Sequence, residues 1–302
     1  MSTCSCIAVR IMIYVPESDI MQRIIYSGEN VNSIDSFGRT ALFRAASNGN
    51  AKLVKALLRS PFIDVNVGSY DETAFIRAMR FGFPCISELI MRSSGFRGDT
   101  SLICATRYGM SDAVNMLKAT SQTDFNAADP DGNTALIWSV RHGRFGNVMS
   151  LLDVPGIDVN CMNSSGDTAL ILAVSRGYLD VAKGLLSILD IHVNHSNSDG
   201  DTALILAARH GHIQIVRELL NINRVNVNAV NLKGETALFW ATQHNKTEIK
   251  KMLVTRHRWR MVIDSFRARS IAIKWLEYTQ MGLCAPGGAG RLADETDFLA
   301  DF

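Results

Sequence analysis

The sequence of 302 residues has little net charge, no long apolar run and no cysteine framework. Lys and Arg total 31 against 29 Asp and Glu, so the net charge of +2 gives no bulk attraction to nucleic acid or to an anionic membrane. No stretch reaches the ~18 uninterrupted apolar residues of a membrane-spanning helix. Because the six cysteines follow no regular spacing, a disulfide-stapled secreted domain is excluded, and we expect a cytoplasmic or nuclear protein.

Signatures of catalysis are also missing. The chain has no phosphate-binding loop, no dinucleotide-binding glycine motif, no nucleophile elbow and no paired-histidine zinc motif. Three histidines recur at one position of a repeat, at His142, His210 and His244. Packed helices lie roughly 8–10 Å apart, whereas zinc needs its ligands within about 2.0–2.3 Å, so these histidines cannot share one ion. We therefore expect no enzyme, no metal and no cofactor.

What the sequence does contain is a repeat. Seven related hexapeptides follow one another: TALFRA, TAFIRA, TSLICA, TALIWS, TALILA, TALILA and TALFWA. Their threonines are Thr40, Thr73, Thr100, Thr134, Thr168, Thr202 and Thr236. Subtracting each number from the next gives 33 and 27 for the first two steps, and 34 for each of the last four. Such regularity indicates stacked units of one supersecondary structure.

One unit illustrates the predicted structure. Asp199-Gly200 is expected to supply two positive-φ residues for a tight hairpin, and Thr202 to cap the helix that follows. That helix ends at Gly211, and a second amphipathic helix runs from His212 to Leu220. Neither helix can bury its apolar face alone, so neighbouring units must stack.

This pattern resembles the ankyrin repeat over about residues 19–253. The resemblance implies a mainly α solenoid of stacked helix-turn-helix units with β-hairpin fingers. Two departures are visible: the family's Thr-Pro-Leu-His is here Thr-Ala-Leu followed in most units by Ile or Phe, and most units are one residue longer than usual.

The pattern divides the chain into four parts. Residues 1–32 are expected to be an N-terminal capping repeat, and residues 33–255 the repeat array. Residues 256–281 are predicted to form one basic helix, and residues 282–302, which begin near a Gly-rich run, a disordered acidic tail.

In proteins of this family, partners bind along the concave face, and the resemblance implies a non-catalytic protein-binding module. The residues seven and eight positions after each threonine would line that face. Arginine, aromatic and imidazole groups predominate there, which favours a partner presenting an acidic or extended segment. The candidate residues are Arg80, Phe81, Arg107, Tyr108, Arg141, His142, Arg176, Arg209, His210 and His244.

Two questions about this face stay open. A second row, one residue before each threonine, is acidic at five of seven positions, so the arginines pair either with these acids or with a partner. The short step from Thr73 to Thr100 predicts a truncated finger and an uncovered Phe96, which is either a tolerated deletion or part of the binding site. Trp138 and Trp240, four residues after their threonines, are expected to pack between units rather than to form a docking patch.

The basic helix is a second candidate surface, formed by Arg256, Arg258, Trp259, Arg260, Arg267 and Arg269. It either caps the last unit or contacts a calmodulin-type protein or a membrane surface. The alternative function is accordingly a substrate-recognition adaptor of a ubiquitin ligase, or a host-directed effector that recruits machinery through this extension.

Overall fold

The computed structural model contains thirteen short helices in its described residues. A further helical segment follows them at 247–256. The model describes residues 31–68, 72–121 and 123–256. The helices are α1 (Ala41–Ser47), α2 (Ala51–Leu57), α3 (Ala74–Arg80), α4 (Pro84–Met91), α5 (Gly98–Tyr108), α6 (Ser111–Lys118), α7 (Ala135–Arg141), α8 (Phe145–Leu152), α9 (Ala169–Ser175), α10 (Leu179–Leu186), α11 (Ala203–His210), α12 (Ile213–Asn221) and α13 (Ala237–Gln243).

Odd-numbered helices form an inner layer and even-numbered helices an outer layer. Each inner helix packs on the inner helices of neighbouring units and on the outer helix of its own unit. The core is continuous along the array, since the apolar residues of all seven units belong to one buried cluster. The predicted mainly α solenoid is therefore confirmed.

A threonine is the N-cap residue of six of the seven inner helices, as predicted for Thr202. In each of the six, the threonine is extended and its Oγ1 accepts a hydrogen bond from the amide three residues on, for example 3.1 Å from Phe43 to Thr40. Thr100 is the exception, because α5 begins two residues earlier at Gly98 and contains it.

The fingers between units are closed by single antiparallel bridges, such as Ser196 to Thr202, instead of longer strands in the described chain. The prediction of two positive-φ residues was wrong for Asp199, because in this turn only Gly200 has a positive φ, 78°. Asn197 makes the second unnecessary: its Oδ1 accepts the amides of Asp199 and Asp201 and so holds the turn.

The predicted truncation of one finger is confirmed. Asn160 binds the amide of His192 in the next unit, and Thr202 follows ten residues later. In the short unit, Asn66 binds the amide of Arg97, and Thr100 follows after only three residues. The difference of seven residues is the whole hairpin, so the chain passes from Arg97 directly into α5.

Candidate functional site

The C-terminal ends of the inner helices bring the predicted binding residues to one face. We call this the inner face; it consists of the side chains seven and eight residues after each threonine, together with the tryptophans at position four. Its exposed members in the described chain include Arg80, Phe81, Tyr108, His142, Arg176, His210 and His244. Arg107, Arg141 and Arg209 are half-buried in the same row.

Arginines of the inner face stack on aromatic rings of the next unit. The guanidinium carbon of Arg80 lies 5.4 Å from the centre of the Tyr108 ring, and that of Arg107 lies 5.0 Å from Trp138. Arg209 lies 4.2 Å from Trp240 in the same way. Stacking of this kind restrains the planar guanidinium groups of these arginines against the rings.

The two tryptophans carry a second set of stacks. The His142 ring lies parallel to Trp138 at 5.4 Å, and His244 repeats this arrangement on Trp240 at 5.3 Å. Arg141 also lies 5.0 Å from the Trp138 ring centre. The tryptophans were expected only to pack between units; they also hold the arginines and histidines of the inner face. Their position four residues after the threonine, on the same helix face as position eight, was the available signal.

Some arginines are already neutralised by acids of their own unit. Arg209 makes two hydrogen bonds to the buried carboxylate of Asp201, at 2.5 and 2.8 Å. Arg80 lies 3.4 Å from the buried Glu72. Internal pairing, one of the two alternatives left open by the sequence, therefore applies at these two arginines.

The fourth unit differs, because the residue before Thr134 is the neutral, buried Asn133 instead of an acid. Instead of an ion pair, the Asn133 side chain makes two hydrogen bonds: it donates to Asp129 and accepts from Asn163. Asp129 also accepts a 2.8 Å hydrogen bond from the Trp138 indole, which orients the ring that carries Arg107 and Arg141.

Positive charge is concentrated around His142. Burial lowers the pKa of His142 below its usual value, and the charged groups that add most to this shift are Arg144, Arg141, Arg176 and Arg107. We call these five residues the central cluster. The pKa of His210 is lowered by burial and by His212 and Arg209, but there Asp201 opposes the shift. Because this pKa is lowered, the positive charge of the central cluster at neutral pH comes from its arginines.

A family comparison agrees with this architecture. The family model for ankyrin repeats matches the sequence in three copies, at residues 8–101, 102–197 and 187–261. This chain belongs to the ankyrin repeat family. No curated protein matches it significantly. Ankyrin repeats indicate a protein–protein interaction module and generally serve as non-catalytic scaffolds.

Phe96 does not belong to the exposed surface of this ankyrin repeat protein. The expectation that Phe96 is uncovered and could form part of the binding site was wrong, because the side chain is 3% exposed and its ring packs 5.5 Å from that of Phe75. Phe96 occupies the position taken by the buried Ile191 and Val225 in later units, directly before the residue whose amide binds the finger asparagine. Loss of the hairpin left this packing position intact.

The second candidate surface falls mostly outside the described residues. Outside the described chain lie Arg258, Trp259, Arg260, Arg267 and Arg269. The acidic tail predicted at 282–302 lies there too, as do residues 1–30 of the N-terminal capping repeat predicted at 1–32. Arg256 is described, and its Nη2 donates a 3.0 Å hydrogen bond to Asn223.

A metal centre and a membrane-spanning helix are both missing from residues 31–68, 72–121 and 123–256. Within these ranges no group of three His, Cys, Asp or Glu side chains could hold a metal ion, and no helix is long and apolar enough to cross a membrane. Burial, followed by Asp158, raises the pKa of the Cys161 thiol to about 11, so this cysteine is protonated at neutral pH and is a poor nucleophile.

Proposed function

We propose that the inner face binds an acidic, extended segment of a partner protein, centred on the central cluster. The observation that carries this proposal is that Arg107, Arg141 and His142 all stack on the Trp138 ring, on a face whose exposed residues come from successive units. Guanidinium groups pair with carboxylates through two parallel hydrogen bonds, which favours Asp and Glu side chains in the partner.

The middle of the face is favoured over its ends. Arg80 and Arg209 have carboxylates of their own units, so a partner there would have to replace Glu72 or Asp201. In the fourth unit, Asn133 stands where the acid would be, and no ion pair to Arg141 is found within the described chain. A carboxylate from outside can supply the missing charge.

Stacking prepares this site before a partner arrives. Arg107 and Arg141 both rest on the Trp138 ring, and Asp129 holds that ring through its indole N–H. Two long side chains are thus restrained in the free protein, which reduces the entropy lost on binding. Tyr108 and Phe81 are exposed at the equivalent position of the third and second units and offer contact area for apolar residues of the segment.

A defined probe tests the proposal. Units of the array are spaced roughly 10 Å apart and an extended chain rises about 3.3 Å per residue, so about ten residues span the three central units. We expect a fluorescent ten-residue oligo-glutamate peptide to bind the full chain in an anisotropy titration, and to bind more weakly as salt is added. An oligo-lysine peptide of equal length should not bind.

Paired variants locate the binding. Arg107→Ala with Arg141→Ala should weaken oligo-glutamate binding by about tenfold or more, since each removes a charge-assisted contact. The control is Arg92→Ala with Arg217→Ala, which removes two exposed arginines at the outer helices and the same total charge. Equal losses in the two pairs would mean that the peptide senses only net charge, and the proposal would fail.

The adaptor role and the cytoplasmic location predicted from the sequence stay predictions. Binding through the inner face is compatible with both.

A further inference from the structure

Three arginines of the central cluster have no acidic partner in the described chain. Most described arginines form an ion pair with an Asp or Glu of this chain, as Arg77 does with Glu72 at 3.0 Å. The side chains of Arg141, Arg144 and Arg176 make neither an ion pair nor a hydrogen bond with any described residue. Three guanidinium charges in one region are therefore left without a compensating acid among the described residues.

Packing brings these arginines together from neighbouring units. The guanidinium carbon of Arg141 lies 5.0 Å from the centre of the Trp138 ring, on which His142 also stacks. Arg144 reaches back to Gly109 in the preceding unit, where a Cβ atom would lie only 2.6 Å from the Arg144 Nε. Because Gly109 has no side chain, the Arg144 guanidinium can lie against the end of α5.

Arg176 joins the group from the following unit. It takes, in the fifth unit, the position that His142 has in the fourth, and its side chain is exposed. The charges of Arg144, Arg141 and Arg176 all contribute to the lowered pKa of His142, so all three lie within electrostatic reach of its imidazole. The ring itself is neutral at pH 7 and can donate one N–H.

Charge at the equivalent histidine two units later is compensated. His210 lies beside Arg209, whose guanidinium is bound by the buried carboxylate of Asp201. In the central cluster, Asp129 contacts the Trp138 ring, but its carboxylate already accepts hydrogen bonds from the indole and from two backbone amides. Uncompensated positive charge therefore distinguishes the surroundings of His142 from those of His210.

A phosphoryl group matches three uncompensated arginines better than a carboxylate does. A carboxylate carries one negative charge and pairs side-on with one guanidinium. A phosphorylated serine, threonine or tyrosine carries about −1.5 to −2 charges at pH 7 and has three strong acceptor oxygens, so several arginines can bind it at once. Clusters of arginines are a recurring means of recognising such side chains.

We propose that the central cluster binds a phosphorylated side chain in the partner's segment. Arg141, Arg144 and Arg176 pair with the phosphoryl oxygens, and the His142 imidazole donates a hydrogen bond to one of them. This inference rests on the proposed function, because the phosphorylated residue belongs to the acidic segment that lies along the inner face. Phosphorylation of the partner then strengthens binding without any change in this chain.

Three ten-residue glutamate peptides that differ only in the central residue test the phosphate. That residue is phosphoserine, Glu or Ser, and each labelled peptide is titrated with the full chain by anisotropy. We expect a Kd about tenfold lower for the phosphoserine peptide than for the Glu peptide, and the weakest binding for the Ser peptide. Equal Kd values for phosphoserine and Glu would overturn this inference and leave the proposed function standing. No binding of any peptide would contradict both.

Paired substitutions show whether the central cluster, and not net charge, recognises the phosphate. Arg144→Ala with Arg176→Ala should remove most of the preference for phosphoserine over Glu, since two of the three arginine contacts are gone. The control is Arg59→Ala with Arg224→Ala, because these exposed arginines also lack an ion pair in the described chain but follow α2 and α12. The control pair should keep the preference of about tenfold. Loss of the preference in both pairs, or in neither, would overturn the inference.

A lipid headgroup is a second source of phosphate. Phosphatidylcholine vesicles that contain phosphatidylinositol phosphates should not sediment the chain or displace the phosphoserine peptide, because a headgroup offers no segment to lie along successive units. Vesicle binding that is lost in the Arg144→Ala, Arg176→Ala pair would assign the central cluster to a lipid and overturn the inference.

Discussion

At the scale of single residues, one of the seven repeat threonines has a different structural role although it occupies the same place in its hexapeptide. Thr40 lies outside α1 and accepts the amide of Phe43 at 3.1 Å. Thr100 occupies the same place in its hexapeptide but is an exposed residue inside α5. The motif predicted a cap at both positions; the missing hairpin before Thr100 let α5 begin at Gly98 instead.

This difference gives a matched pair of substitutions. Thr40→Ala should reduce the free energy of unfolding by about 1 kcal/mol, because the helix loses a cap bond. Thr100→Ala should change it by less than about 0.5 kcal/mol, because alanine is well tolerated on an exposed helix surface. Urea denaturation followed by circular dichroism measures both. Equal destabilisation would show that Thr100 also caps a helix.

Among the candidate binding residues, His142 is the one whose protonation should change when an acidic segment binds. In the free protein its pKa is lowered by burial and by the surrounding arginines, so it is neutral at pH 7. Bound carboxylates would raise that pKa, and binding would then take up a proton. Affinity for the oligo-glutamate peptide should therefore increase as the pH falls from about 7.5 to about 5.5.

The measurement is the Kd at several pH values for the original chain and for His142→Ala. We expect the variant to show a weaker pH dependence, since the group that takes up the proton is gone. An identical pH dependence in the two proteins would exclude His142 from the binding site.

Phe96 illustrates what single-residue reasoning from the sequence could not reach. A count of residues located the missing hairpin, but it did not show which side chains the loss uncovers. The ring remains against Phe75 because its position at the base of the finger survives the deletion. Comparison with Ile191 and Val225, measured from the finger asparagines, was the signal that could have predicted burial.

At the scale of elements, the finger asparagines join one unit to the next. The Asn160 side chain donates to the carbonyl of Asp190 at 2.9 Å and accepts from the amide of His192 at 2.7 Å. Asn126 and Asn194 make the same pair of bonds in their units. Stability in such an array is approximately a sum of unit terms and interface terms, so these bonds belong to the interfaces.

Asn160→Ala should therefore destabilise the array by about 1–3 kcal/mol, the value of two hydrogen bonds, and should broaden the unfolding transition as units uncouple. The control is Asn48→Ala, which changes an exposed asparagine at the end of α1 and should shift stability by less than about 0.5 kcal/mol. An unfolding transition that stays equally sharp in Asn160→Ala would show that these bonds do not couple units.

Helices and their order were predictable because apolar spacing and capping residues are local properties. The details of the fingers were not, because a side-chain contact within the turn sets the backbone there as well as the Asp-Gly pair. Asp199 was expected to adopt a positive φ, but the Asn197 carboxamide stabilises the turn with Gly200 alone. An Asx-type turn of this kind is recognisable from its asparagine once the register is known.

At the scale of the whole molecule, the stacking of units brings residues at equivalent repeat positions together on one surface. The row of arginines could be predicted from the period, but which of them pair with an acid of their own unit could not. Glu72 and Asp201 approach Arg80 and Arg209, whereas the fourth unit has the neutral Asn133 directly before its threonine. The stacking of both Arg107 and Arg141 on Trp138 could not be predicted either, because it depends on how neighbouring units pack.

The central claim is that one face, built from successive units, binds an acidic segment. Hydrogen exchange of the full chain with and without the oligo-glutamate peptide tests it most directly, because it reports where the peptide lies. We expect slower exchange at the C-terminal ends of α5, α7 and α9, with little change in outer helices α6 and α8. Protection confined to the outer helices, or to residues after Arg256, would contradict the account.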